Sequence, residues 1–159
     1  VEVIESTYPF FIHGYGLVPE SAGAGNFRGG YGMQREFEVL ADRVTVTLSS
    51  DRFEFSPWGV FGGKSASSGN CQVILPDGTI EQLPSKVTRV LEKGSRLIST
   101  TPGGGGWGNP YERSPEKVRQ DVIQGLLSRE SALKVYGIVI GDDFSLDIEA
   151  TLQQRRKQS

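Results

Sequence analysis

Residues 101–127 read TPGGGGWGNPYERSPEKVRQDVIQGLL, and the hydrophobic period changes inside them. Up to Thr100 the apolar residues come in short alternating runs. After Pro110 they come at helical spacing, with Val118, Val122, Ile123, Leu126 and Leu127 on one face. Ser114-Pro115-Glu116 gives that helix an N-cap residue, a proline at the first helical position and an acid in the first turn. Working outward toward the C-terminus, Ser128 caps a second short helix through about Tyr136. Ile138 to Ile140 make a brief strand-like run stopped at Gly141, and a last helix begins near Asp147, carrying Ile148 and Leu152. Working back, Arg96–Thr100 and Val87–Val90 are strands joined at Lys93-Gly94, and CQVILPDGTIEQL (71–83) is a hairpin around Pro76-Asp77-Gly78. Val44, Val46 and Leu48 alternate with Thr45 and Thr47, MQREFEVL (33–40) is another strand, and 1–16 reads as two short β segments broken at Pro9. Strands first and helices after predict an α+β fold. Its mainly antiparallel β body with tight glycine-rich turns spans 1–110, and a small helical tail over 111–159 packs on or beside it in one compact domain.

The 159 residues are 36% hydrophobic and 23% charged, which describes a globular chain able to bury a core. Glycine is the outlier, with 21 residues, well above the roughly 7% average. These have no fixed period, which excludes collagen-like and linker readings. Net charge is −2 with scattered basic residues, so nothing marks a nucleic-acid surface. The basic end, Arg155-Arg156-Lys157, complements a helix dipole. One cysteine, Cys71, excludes an internal disulfide and points to a reducing compartment. No apolar run reaches the roughly 18 residues of a membrane span, and the acidic, strand-like start is not a signal peptide, so the cytoplasm is expected. A first residue Val1 inside a regular pattern suggests a chain cut from something larger.

Chemistry is sparse. Gly103, Gly104, Gly105 and Gly106 invite a phosphate-loop reading, but Trp107-Gly108-Asn109 follows where a P-loop needs Lys and Ser or Thr. The simpler reading is a turn that lets backbone pass close to a neighbour; the alternative is a backbone nest facing an anion. With only His13 and Cys71, neither a zinc site nor a nucleophilic triad can be assembled, so no metal is expected here and no catalytic residue is assigned. The stretch DRFEFSPWGVFGGK (51–64) is denser. Asp51 and Arg52 beside Trp58 and Lys64 either orient a loop over a site or form a hairpin cap with a surface ion pair. Arg28, Asp51, Arg52, Trp58, Lys64, Gly103, Gly104, Gly105, Gly106 and Trp107 are the binding or interface candidates.

Taken in order, these stretches resemble the hydantoinase B-type subunits of N-methylhydantoinase, acetone carboxylase (its alpha subunit) and 5-oxoprolinase. The matching pieces begin with Val1 to Pro9 (VEVIESTYP) and Ser21 to Gly32 (SAGAGNFRGGYG, with Ala22 where the family has Gly). Arg35-Glu36, the Asp51-Arg52…Pro57-Trp58-Gly59…Gly62-Gly63 block, Leu83 to Lys86, Thr101 to Gly108, Pro115 to Val118 and Tyr136 to Val139 follow. The resemblance covers nearly the whole chain and implies the C-terminal portion of a B-type subunit, whose full length is several times greater. It further implies ATP-dependent chemistry on cyclic amides or ketones in a hetero-oligomer. A hydantoinase A-type ATPase partner and the N-terminal part of the B-type subunit would supply the ATP and Mg site and any further divalent metal. On this view the chain binds no cofactor alone, touches neither nucleic acid nor membrane, and is inactive in isolation. Three roles follow: part of a hydantoinase or 5-oxoprolinase-like hydrolase, a subunit of an acetone- or acetophenone-type carboxylase, or a non-catalytic assembly module docking through Trp58 and Trp107.

Overall fold

The computed structural model describes residues 1–157. The fold is α+β, with antiparallel sheet and a few helices, and its contacts gather into two units, neither a continuous stretch of chain. The first comprises 1–17, 32–56 and 68–102; the second comprises 18–31, 57–67 and 103 onward.

In the first unit a short helix, α1 (Glu2–Thr7), precedes β1 (Phe10–Leu17), β2 (Met33–Val39), β3 (Arg43–Ser49), β4 (Asn70–Ile74), β5 (Ile80–Gln82), β6 (Lys86–Glu92) and β7 (Arg96–Thr100). Five strands form one antiparallel sheet in the order β1-β2-β7-β4-β5, and β3 pairs with β6 as a separate ribbon. Alternation gives each strand a face to bury, and one cluster collects those faces. Val39, Cys71, Val73, Leu83 and Leu91 are buried, with Phe10, Val44, Val46, Leu48 and Leu97 packed against them. Sealing a side chain such as Leu91 or Val73 contributes about 1.5–3 kcal/mol. Burial also pushes the Cys71 thiol pKa up, so it behaves as a small hydrophobe.

One segment differs from the strand-by-strand reading. Residues 2–7 are helical, not extended. As a helix the segment brings Val1 and Ile4 to the same recess as Ile12 and Phe37, and the Glu5 carboxylate accepts the Ile12 N–H at 2.8 Å. Pro9 then bars continuation. Lys93-Gly94 is indeed the turn between β6 and β7, with Gly94 at φ 84°, but these strands do not pair. β6 runs beside β3 with Leu91 opposite Val44, while β7 inserts between β2 and β4. A bulge at His13 shifts the β1–β2 register, and its Nε2 meets Glu38 Oε2 at 2.5 Å.

The second unit carries a 3-10 turn (Pro110–Glu112), α2 (Pro115–Ile123), α3 (Arg129–Tyr136), β8 (Val139–Ile140), β9 (Leu146–Asp147) and α4 (Ile148–Arg156). Ser128 Oγ accepts the Ser131 N–H, so the cap expected there is made, and Asp147 Oδ1 accepts the Ala150 N–H at the start of α4. Ser114 occupies the N-cap position of α2 without a side-chain cap bond; the proline at N1 sets the start instead. Val118, Val122, Ala132, Tyr136, Ile138 and Ile140 form the core with Ala24. Ile123, Ile148 and Leu152, apolar positions of the helical pattern, are exposed. In α4 the buried residue is Thr151, whose Oγ1 accepts the Val139 N–H at 3.0 Å.

Candidate functional site

Three glycine-rich segments of the second unit meet backbone to backbone. Gly23 N–H donates to Gly104 O at 2.9 Å and Gly104 N–H to Gly30 O at 2.8 Å. Gly106 N–H donates to Lys64 O, Lys64 N–H to Ala24 O, and Val60 N–H to Gly106 O. The approach is too close for side chains. A Cβ on Gly103 would lie 2.0 Å from Ser21 O, one on Gly105 1.9 Å from Trp58 O, and one on Gly106 2.0 Å from Ala24 O. Of the four amides in the run, those of Gly103, Gly104 and Gly106 donate to protein carbonyls. An anion nest needs such amides turned toward a common outside point, and a phosphate cradle does not fit here. The run is a close-packed joint.

Trp107 sits at the end of that joint. Its main chain bridges Phe27 antiparallel and Val60 parallel. Its ring meets Phe27 edge-on at 5.5 Å and Phe61 at 5.7 Å between centroids.

Arg28 is recruited to a buried ion cluster. Its Nε reaches both oxygens of Asp121, at 3.2 and 3.1 Å, and Arg113 Nη2 reaches Asp121 Oδ2 at 3.1 Å. The Arg28 guanidinium also lies 4.3 Å from the centre of the Tyr31 ring. Arg155 continues the network through backbone oxygens, donating to Arg113 O at 2.7 Å and Tyr136 O at 3.1 Å.

Burial, and after it the charge of Asp121, pushes the Tyr31 hydroxyl from its ordinary value near 10 up to about 12. The folded chain therefore holds a proton that the unfolded chain releases. The stability this contributes is complete below about pH 10 and is lost as pH rises toward 12. Tyr136, raised chiefly by burial, acts in the same direction. Denaturant titrations across this window should show stability falling as pH rises. Tyr31→Phe should fall less steeply; an unchanged slope would mean that Tyr31 ionises freely in the fold.

Of the sequence candidates, Arg28, Trp58, Lys64, Gly103 to Gly106 and Trp107 belong to this one unit, Lys64 and Trp58 through their backbone. Asp51 and Arg52 belong to the first unit, where they line an open recess of about 280 Å³ with Phe53, Glu54, Phe55 and Lys86. Arg52 has φ 64°, a backbone conformation that disfavours a β-carbon. The sequence reading missed Asp121 and Arg113, the partners that hold Arg28, and Phe27 and Phe61, which flank Trp107. Among the described residues, no group of three or more His, Cys, Asp or Glu is placed to hold a metal ion.

Glycine segments locked this way, in this order along a chain, can be compared with known proteins. The profile of the Hydantoinase B/oxoprolinase family matches residues 1–110. The chain belongs to that family. Over 158 residues, 98% of its length, it is 37% identical to a Pseudomonas protein described as the B component of a D-/L-hydantoinase. It superposes on the crystal structure of ATP-dependent caprolactamase from Pseudomonas jessenii with a TM-score of 0.83 at 32% identity, over 98% of this chain. The fold also matches the nucleotide-free structure of acetone carboxylase, with a TM-score of 0.81 at 23% identity over 99% of this chain. The chain spans only 26% of the hydantoinase component, 28% of the caprolactamase chain and 26% of the acetone carboxylase chain. The chain thus corresponds to about a quarter of the polypeptides it matches.

Proposed function

We propose that this chain is the C-terminal part, or a separately encoded small subunit, of an ATP-dependent cyclic-amide hydrolase of hydantoinase or 5-oxoprolinase type, and that it turns over no substrate alone. The observation that carries this reading is the joint likeness in sequence and structure to the ATP-dependent caprolactamase. The carboxylase likeness, at 23% identity, speaks to the fold alone. The internally bonded amides of the 103–106 run and the mutual pairing of Arg28, Arg113 and Asp121 support a structural contribution from this chain. ATP and Mg would then bind a hydantoinase A-type partner, with any further divalent metal held in the remaining part of the B-type subunit. Among the described residues no helix is long and apolar enough to cross a membrane, and a cytoplasmic complex is the setting we infer.

The test is reconstitution. The purified chain with ATP, Mg and hydantoin, 5-oxoproline or caprolactam should release no ADP above the blank. Adding the A-type subunit and the rest of the B-type subunit from the same source should yield ADP together with ring-opened product. Turnover by the chain alone would overturn the reading. So would a complex that leaves cyclic amides intact and carboxylates acetone or acetophenone with bicarbonate.

A further inference from the structure

Val60 to Gly63 close a tight turn in which Gly63 N–H donates to Val60 O at 3.0 Å. Both central residues have positive φ, 52° at Phe61 and 90° at Gly62, which makes it a type I′ turn. The first central position of such a turn belongs to Asn, Asp or Gly; a phenylalanine there holds its backbone in a region that a β-carbon disfavours. Burial does not repay that strain, for Phe61 is 80% exposed and touches Trp107 only edge-on. Phe27 and Trp107 beside it are 58% and 46% exposed. The backbone beneath them is immobilised, since a Cβ on Gly63 would fall 2.1 Å from Gly106 O and one on Gly25 2.5 Å from Trp107 O. Three aromatic rings are thus held open to solvent on a rigid base, one of them at a conformational cost. That is the form of a preorganised interface anchor.

Lys117 Nζ lies 6.0 Å from the Phe27 ring centre at the edge of the patch. Aromatic side chains are enriched at the centre of protein interfaces, and permanent interfaces are the more apolar ones. In the relatives about three quarters of the polypeptide lies outside the matched region, on the same chain and therefore in permanent company.

We propose that Phe61, Phe27 and Trp107 dock this chain onto the remaining portion of a B-type subunit, entering an apolar recess there. The proposal rests on the reading above that such a portion is the chain's companion. The decisive variant is Phe61→Asn, which gives the turn the residue its geometry prefers; Phe61→Gly is its duplicate. The purified 159-residue chain is titrated with the B-type portion of the same source that the matched region leaves out, followed by Trp fluorescence and size exclusion. Both variants should melt at or above the wild-type temperature as isolated chains, yet bind that portion at least about tenfold more weakly. Wild-type affinity in both variants would overturn the anchor and leave the B-type reading standing. Concentration-dependent self-association of the chain, abolished by Phe61→Asn, would overturn it in favour of a second copy. No binding by the wild-type chain would remove the B-type reading and the anchor with it. Variants that melt well below wild type would show that Phe61 serves the fold, and would overturn the anchor too.

Discussion

Gly29→Ala should abolish cooperative folding, while Gly30→Ala, one residue on, should leave the chain essentially unchanged. A Cβ on Gly29 would sit 1.8 Å from Gly104 O and 2.3 Å from Gly104 C, with Gly105 O at 2.9 Å. All three are backbone atoms, so no side chain can swing aside. The segments would have to part, taking with them the Gly23–Gly104, Gly29–Gly23 and Gly104–Gly30 hydrogen bonds. The cost should exceed about 4 kcal/mol, beyond the range of ordinary substitutions. Gly30 meets nothing within 4 Å and its φ is not in the left-handed region, so an added methyl costs no more than a surface change, within about 0.5 kcal/mol. Thermal unfolding followed by near-UV circular dichroism distinguishes the two variants. Equal melting of both would mean that the segments do not approach as described.

The second large effect is expected at Asp121. Its side chain is 7% exposed and it holds two guanidiniums, that of Arg113 8% exposed and that of Arg28 26%. Asp121→Ala leaves two cations facing one another with water largely excluded, which should destabilise the chain by about 3–5 kcal/mol. Desolvation makes the intact cluster a poor source of net stability, so removing all three charges should be milder than removing one. The triple variant Arg28→Met, Asp121→Leu, Arg113→Met should therefore recover most of the loss in urea unfolding. A loss under about 1 kcal/mol for Asp121→Ala would show the cluster to be solvated.

The local part of this architecture was legible. Alternation over Val44, Val46 and Leu48 gave β3, Pro76-Asp77-Gly78 gave the β4–β5 hairpin, and Ser128 and Asp147 capped the helices assigned to them. Reading failed where the deciding partner is distant. Residues 2–7 alternate like a strand, but a helix lets Glu5 reach Ile12 and seats Ile4 beside it. Nothing local says that β6 belongs with β3, because every strand offers the same backbone edge and only packed faces choose between them. The site shows the same division. Glycine content announced close backbone approach without saying which segments approach. Arg28 was marked as a candidate, but its carboxylate lies 93 positions away inside a helix, where Val118 and Val122 account for the local pattern.

The second unit is assembled from segments far apart in the chain, and this has a kinetic corollary. Gly29 meets Gly104, so this contact closes a loop of roughly 75 residues, and closure entropy must be met before the Gly23–Gly104 and Gly104–Gly30 hydrogen bonds form. Contacts of such long sequence separation slow folding. On a ribosome the first glycine segment leaves the exit long before its counterpart is made. Until residues 103–106 emerge, Phe27 and Phe61 have no Trp107 beside them. The nascent chain therefore passes through a stage in which its apolar turn tips are displayed without the joint that later fixes them, the stage at which chaperone protection would matter most.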